Sequence, residues 1–324
     1  VSVVDQIKAP ISEEMKLFES RFKESMKSST PLLDKITHYI IKRKGKQLRP
    51  MFVFLSAKAV GEINDNSYVA ASMIELLHTA TLVHDDVVDD SNERRGFFSL
   101  NALWKNKIAV LVGDYLFSKG LLVAVQNEQF EFLRIISNAA KEVVEGELLQ
   151  IEKTRGLNLD EDIYFEIIRQ KTASLISACC EAGASSSTED PKLIEIMKEF
   201  GELTGIAFQI KDDIFDYGGA NAIGKPTGID IKEKKVTLPL LHAINQADSA
   251  TRRKIIRIVK NESHKPKKVR FVMDFVRSTN SIDYAISKMN EYRDRALALL
   301  DNIPDSTARA SLITLVNYTV EREK

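Results

Sequence analysis

The 324-residue chain carries 46 basic and 46 acidic side chains, so its formal net charge is zero, with 44% hydrophobic and 7% aromatic residues. This is ordinary globular composition, long enough for one large or two medium domains and for a core with a cavity inside it. The balanced charge argues against a nucleic-acid coat or a polybasic membrane anchor, because both need a surplus of Lys and Arg facing phosphates.

The opening VSVVDQIKAPISEEMKLFESRF lacks a basic segment leading into an apolar run, and no stretch of about 18 apolar residues is found. A cytoplasmic chain without a membrane span is the expectation. Breaks fall at Pro31, KGKQLRP (44–50) and GEINDNS (61–67), before the helical pattern VAASMIELLHTATLVHDDVVDD (69–90). SNERRG (91–96) follows it. Two further patterns with apolar residues three and four apart, FEFLRIISNAAKEVVEGELLQIEK (130–153) and DEDIYFEIIRQKTASLISACCEAG (160–183), are separated by TRGLN (154–158). Later breaks are GASSSTEDP (183–191), YGGANAIGKPTG (217–228), KNESHKPK and DNIPD. Sustained two-residue alternation is missing, so the spacing predicts roughly ten or more helices with short connections in a single all-α domain, residues 1–324. The neighbouring Cys179 and Cys180 sit in an apolar helical pattern and read as core.

One acidic motif recurs. His84-Asp85-Asp86-Val87-Val88-Asp89-Asp90 ends one apolar helix, and Lys211-Asp212-Asp213-Ile214-Phe215-Asp216 ends another. Both read D-D-x-x-D, and on a helix the first and last Asp, four apart, project from one face, about 40° around the axis. At a helix C-terminus the backbone dipole adds to their repulsion, so something positive must compensate. Hard oxygen donors in this number suit magnesium, which completes its shell with water and substrate phosphates. A solvated acidic face is the rival reading of one motif; two copies, each after a nearly all-apolar turn, favour a site. Arg94-Arg95, Lys225, Lys235 and the loop Gly45 to Pro50 supply cations nearby in sequence, enough for two diphosphate groups.

These residues resemble the trans-isoprenyl diphosphate synthases from about residue 30 to the C-terminus. GKQLRP (45–50) is similar to that family's isopentenyl-diphosphate loop, and ELLHTATLVHDDVVDDSNERRG (75–96) to its first aspartate-rich region. GDYLFSKG, KTASLISACC, FQIKDDIFDY, GKPTGIDIKEKKVTLPLLHA and NYTVEREK follow in the family's order. Lys234 stands where the pattern usually has Gly, and Lys235 takes the ligand role.

The resemblance implies a helical bundle around a central cavity, a homodimer, and joining of an allylic diphosphate to isopentenyl diphosphate through ionisation, condensation and proton loss. Asp85, Asp89 and Asp212 would hold magnesium, three ions per site with diphosphate bound, with Asp86, Asp213 and Asp216 in support. Arg94, Lys171, Lys225 and Lys235 would neutralise the allylic diphosphate. Thr172 and Gln209 would turn oxygens toward the allylic cation, and Lys46, Arg49, His78 and Arg95 would bind isopentenyl diphosphate. Gln150 resembles a supporting position, and His84 is read as structural.

Product length is argued from the helix ending at Asp85. The growing hydrocarbon extends beside Thr81, Ala80, Leu77 and Ile74, from roughly 6 Å to roughly 16 Å below the aspartates at 1.5 Å per residue. Short-chain members block the upper level with an aromatic ring, whereas Ala80 and Thr81 leave it open, so a product longer than four isoprene units, of octaprenyl type, is expected. Phe52, Phe54, Phe117 and Leu121 are candidates for the floor. Product release would involve transient membrane contact.

Gly219 to Pro226 nearly spells a P-loop, but Pro226 replaces its Ser or Thr and a helix precedes it. His264 to Arg270 reads as a solvated loop and helix start. Rival functions are a shorter-chain synthase, a non-catalytic subunit of a heteromeric synthase, and a terpene cyclase using one motif; intact aspartates in both motifs and the GKQLRP loop favour a two-substrate enzyme.

Overall fold

The computed structural model describes residues 2–42, 45–89, 93–94, 97–156, 160–218 and 227–322. Helices follow one another throughout: α1 (Val3–Lys8), α2 (Ser12–Ser25), α3 (Pro31–Lys42), α4 (Leu48–Val60) and α5 (Asp65–Val88). A two-residue pair, β1 (Glu93–Arg94) and β2 (Phe97–Phe98), runs antiparallel with Arg94 opposite Phe97. Then come α6 (Leu100–Gln126), α7 (Phe130–Gly156), α8 (Glu161–Ile168), α9 (Ser174–Ser185), α10 (Pro191–Asp216), α11 (Ile229–Lys232) and α12 (Leu238–Gln246). The chain ends with α13 (Ser249–Arg257), α14 (Pro266–Arg277), α15 (Ser281–Leu299) and α16 (Thr307–Glu321). The all-α expectation holds.

Local chemistry explains the boundaries. Asn64, in the GEINDNS break, caps α5 by accepting from the Asn66 amide at 2.9 Å, while Ser67 reaches back to the Asn64 amide. Asp160 caps α8 through the Ile163 amide at 2.8 Å, and Asp190 caps α10 through the Lys192 amide at 2.9 Å. The continuous apolar pattern 160–183 is divided by a π-helical turn, Arg169–Ala173, which apolar spacing does not reveal.

The internal contacts divide the chain into two compact units. The first comprises residues 1–140, 178–198 and 303–312, the second residues 141–177, 199–302 and 313–324. In the first unit Phe54 packs between Phe18 and Tyr68, with ring centres 5.8 and 5.0 Å away. Helix α5 buries Met73, Ile74, Leu76, Leu77 and Ala80, and lies along α6. His84 clasps α6 through Nε2, 3.2 Å from the Val110 carbonyl and 3.3 Å from the Asp114 carboxylate. Cys179 and Cys180 are buried, and desolvation raises both thiols, Cys180 to about 12.

Helix α6 has no unbroken apolar stretch of 18 residues, as the sequence indicates, yet it is strongly apolar on average. It is long and apolar enough to cross a membrane, with an 18-residue window of mean hydropathy 1.8 of which a third is buried within the chain. Asp114 and Lys119 interrupt the run, which hides its average apolarity from a search for unbroken stretches. Leu103, Val110, Leu111, Leu122 and Val125 are exposed on it. Phe117 is exposed too, so this floor candidate does not sit in the core of the chain.

The second unit has two apolar clusters. One joins Tyr164, Ile168, Ala173, Ile206, Ile210 and Leu241; the other joins Tyr217, Ile231, Leu240, Ile255, Val259, Val269 and Met273. Together they brace both ends of the π turn and the last turn of α10.

Candidate active site

The first unit carries the first acidic motif at the end of α5. Asp86 is buried, Asp85 half-buried, and Asp89 exposed as the C-cap, its amide donating to the Asp85 carbonyl at 2.8 Å. His78, Leu77, Ile74 and Ala80 are buried on the same helix, and the half-buried Thr81 donates its hydroxyl to the His78 carbonyl at 2.9 Å. In GKQLRP, Gln47 adopts a left-handed conformation (φ 54°) and delivers the chain into α4. Lys46 is left exposed before the helix and Arg49 half-buried in its first turn. The Arg94 backbone lies in β1; Arg95 and Lys225, like the whole Gly219 to Pro226 segment, fall outside the described residues.

In the second unit, functional side chains converge on a cavity of about 220 Å³ lined by Gln150, Tyr164, Lys171, Thr172, Gln209, Asp213, Asp230, Lys235 and Thr237, among others. Lys171 and Thr172 sit on the π turn, where the Ser174 amide donates to the Arg169 carbonyl five residues back. The turn is pressed between two glycines. A Cβ on Gly146 of α7 would approach the Lys171 amide nitrogen to 2.9 Å, and one on Gly205 of α10 would approach Ala173 Cα to 2.5 Å. Only residues without a Cβ allow both helices so close to the widened turn.

A hydrogen-bond chain crosses the cavity. The Thr172 hydroxyl donates to Gln209 Oε1 at 2.7 Å, and Gln209 Nε2 donates to Asp213 Oδ1 at 2.9 Å. The Tyr164 hydroxyl donates to the other oxygen, Asp213 Oδ2, at 2.7 Å. The Thr172 proton is thereby committed, and its oxygen keeps lone pairs. Burial, and then the Asp230 charge, push the Asp213 carboxyl up to about 7, against the two donors, which pull it down. Burial also raises the Tyr164 hydroxyl well above its usual range, so it stays a donor.

The three acids of the second motif therefore differ. Asp216 spends its carboxylate on the start of α11, accepting from the Ile229 amide at 2.9 Å and the Asp230 amide at 3.1 Å. Asp213 is buried between Tyr164 and Gln209. Asp212, half-buried, pairs with the Arg322 guanidinium, which also lies 4.1 Å over the Phe208 ring. A cation on Asp212 is the compensation that a carboxylate at a helix C-terminus needs.

Lys171 donates to Gln150 Oε1 at 2.9 Å and pairs with Glu147. Lys234 has φ 61°, the left-handed conformation that favours Gly, so the backbone fits the glycine of the family pattern and Lys234 adopts it with a side chain. Lys234 and Lys232 are exposed, whereas Lys235 lines the cavity, its ammonium 2.7 Å from Glu233.

Among the described residues no three His, Cys, Asp or Glu side chains gather into a ready-made metal cage. The donors present are hard carboxylate oxygens at two helix ends. They fit a magnesium ion that shares its shell with water and phosphates rather than one enclosed by protein. Sequence reasoning missed Tyr164, Asp230, Glu147 and Arg322. Asp230 lies within the GKPTGIDIKEKK segment and Arg322 within NYTVEREK, which offered a signal; Tyr164 and Glu147 meet their partners only through folding.

Residues 30–276 match the polyprenyl synthetase family. An all-trans-nonaprenyl-diphosphate synthase (geranyl-diphosphate specific) of Rhodobacter capsulatus is 35% identical over 318 residues, covering 98% of this chain and 97% of that protein. The crystal structure of a decaprenyl diphosphate synthase from Rhodobacter capsulatus superposes with a TM-score of 0.94 at 35% identity, covering 99% and 100% of the two chains. A geranylgeranyl pyrophosphate synthase from Bacteroides thetaiotaomicron gives 0.83 at 37% identity over the whole of both chains. The chain belongs to the polyprenyl synthetase family. It is a prenyltransferase, of the trans-polyprenyl diphosphate synthase class.

Tyr164→Phe removes one of two donors to a buried carboxylate. Denaturant unfolding is expected to show a loss of roughly 1 to 3 kcal/mol, with turnover reduced. An unchanged midpoint and an unchanged rate would mean that Asp213 is held without the hydroxyl.

Proposed function

We propose that this chain extends an allylic diphosphate, such as farnesyl diphosphate, with isopentenyl diphosphate to a long all-trans polyprenyl diphosphate of octaprenyl type, used as a quinone side chain. The observation that carries this reading is the chain Thr172, Gln209, Asp213, Tyr164 beside Lys171 and Lys235, around one cavity. It offers cations for a diphosphate and an oxygen for a carbocation in one place.

In this reading Asp85, Asp89 and Asp212 would hold magnesium, three ions per site, which when bound would supply positive charge to the departing diphosphate. Lys171 and Lys235 neutralise the same group, with Arg94 and Lys225. The Thr172 lone pairs face developing positive charge, while its hydroxyl proton stays directed at Gln209 Oε1. Lys46, Arg49, His78 and Arg95 bind isopentenyl diphosphate, whose double bond adds to the allylic cation. The proton then lost from the new chain passes to the released diphosphate. Asp86, Asp213 and Asp216 position their neighbours.

The long product rests on Ala80 and Thr81, small residues five and four positions before Asp85, with Leu77 and Ile74 below. The exposed apolar residues of α6 fit a second copy of the chain, and the two buried cysteine thiols fit a reducing cytoplasm.

With farnesyl diphosphate, isopentenyl diphosphate and magnesium, the isolated chain is expected to give an elongated product, and chelation of the metal to abolish it. No elongation by the isolated chain would favour a partner subunit. Ala80→Phe is expected to shorten the product; an unchanged length would remove α5 from the tunnel. Light scattering should give twice the 36.5 kDa chain mass, and a monomer at micromolar concentration would reject the α6 interface.

A further inference from the structure

Residues 252–277 hold ten Lys and Arg against two acids, Glu262 and Asp274, in a chain whose total charge is zero. They fold as α13, a π-helical turn (Ile258–Glu262) and α14, which turn Ile255, Val259, Val269, Val272 and Val276 into the core. The cations are left outside. Contacts show that those of both helices share one face. Glu262 gathers Arg257 at 3.1 Å, Lys265 at 3.3 Å and Lys268 at 3.8 Å, and Lys254 of α13 lies 4.0 Å over the exposed Phe271 ring of α14. Asp274 is shared by Arg270 at 4.0 Å and Arg277 at 3.7 Å. Two acids thus serve many cations, and none of these cations lines the diphosphate cavity.

We propose that this face docks on an anionic phospholipid surface. Clustered Lys and Arg are attracted to such a leaflet within a Debye length, and an aromatic ring flanked by cations suits the boundary between headgroups and acyl chains. Single-stranded nucleic acid would call for several stacking aromatics, whereas Phe271 is the exposed one here. The docked face is also one packed body with the end of the second acidic helix. Arg277 Nε donates to the Tyr217 carbonyl at 2.8 Å, and Tyr217 shares an apolar cluster with Ile255, Val259 and Val269. An enzyme held there would release its greasy product at the membrane that receives it. That consequence rests on the function proposed above, while the docking itself does not.

The test is sedimentation of the full chain, without substrates, with vesicles of phosphatidylcholine alone or mixed with phosphatidylglycerol. Binding to the mixed vesicles and not to the neutral ones is expected, weakening steeply with salt. Lys254→Glu with Lys267→Glu and Arg270→Glu should weaken it at least roughly tenfold. Lys16→Glu with Lys23→Glu and Lys27→Glu, the same charge change on α2 and just past its end, should leave it intact. If the reversal unfolds the chain by circular dichroism, the corresponding Gln substitutions are read instead. Equal binding to neutral vesicles, equal loss in both triple variants, or tighter binding to an RNA oligonucleotide would overturn the proposal. Because no substrate is present, either result leaves the elongation assay to be judged by itself.

Discussion

Carboxylates at the C-terminal end of a helix are repelled by the helix dipole and by one another, and the second unit is organised around that repulsion. Helix α10 brings Asp212, Asp213 and Asp216 to its last turn, and each is met differently. Asp216 is neutralised in effect by two backbone amides of α11. Asp213 is buried under a hydroxyl and an amide, with its carboxyl raised to about 7 because burial outweighs those donors. Asp212 takes a guanidinium from the last described residue of the chain, Arg322. A motif of three acids thus keeps one carboxylate half-buried against a side-chain cation, and the other two build the wall behind it.

That wall depends on the π turn. One extra residue in a helical turn rotates everything after it by about 100° relative to a regular α-helix, so the register of α8 is not the register of α9. Tyr164, before the turn, reaches Asp213, while Thr172, within it, reaches Gln209 one helical turn earlier on α10. Both therefore act on neighbouring positions of α10, four residues apart. The widened turn needs room, and Gly146 and Gly205 provide it from opposite helices.

Much of this was legible in the residues themselves. Two D-D-x-x-D motifs at helix ends, the basic loops and the helical periodicity declare an all-α protein with anionic sites that need metal and phosphate. What stayed hidden has physical causes. The three acids of one motif are identical as letters, and only long-range partners such as Tyr164, 49 residues before Asp213, divide them into buried and open ones. Apolar spacing reports which face is buried, not which hydrogen-bond register the backbone adopts, so residues 160–183 read as one helix. Lys234 shows the reverse case. The family pattern has glycine there, the sequence reading takes Lys235 as the ligand, and of Lys232, Lys234 and Lys235 it is Lys235 that lines the cavity, next to the left-handed backbone at Lys234.

In the first unit, α5 carries acids and small buried residues on one rod. Its end carries Asp85 and Asp89, and its buried side carries Ala80, Leu77 and Ile74. Helical rise fixes the separation between them at about 1.5 Å per residue, so a change of side-chain size at residue 80 alters the space at a set depth without moving the carboxylates. This holds only if the rod cannot slide. His84, adjacent to Asp85, supplies that restraint by bonding to the Val110 carbonyl and the Asp114 carboxylate of α6. The histidine next to the acidic motif thus ties the end of α5 to its neighbour, and its ring is engaged with α6 one residue before Asp85.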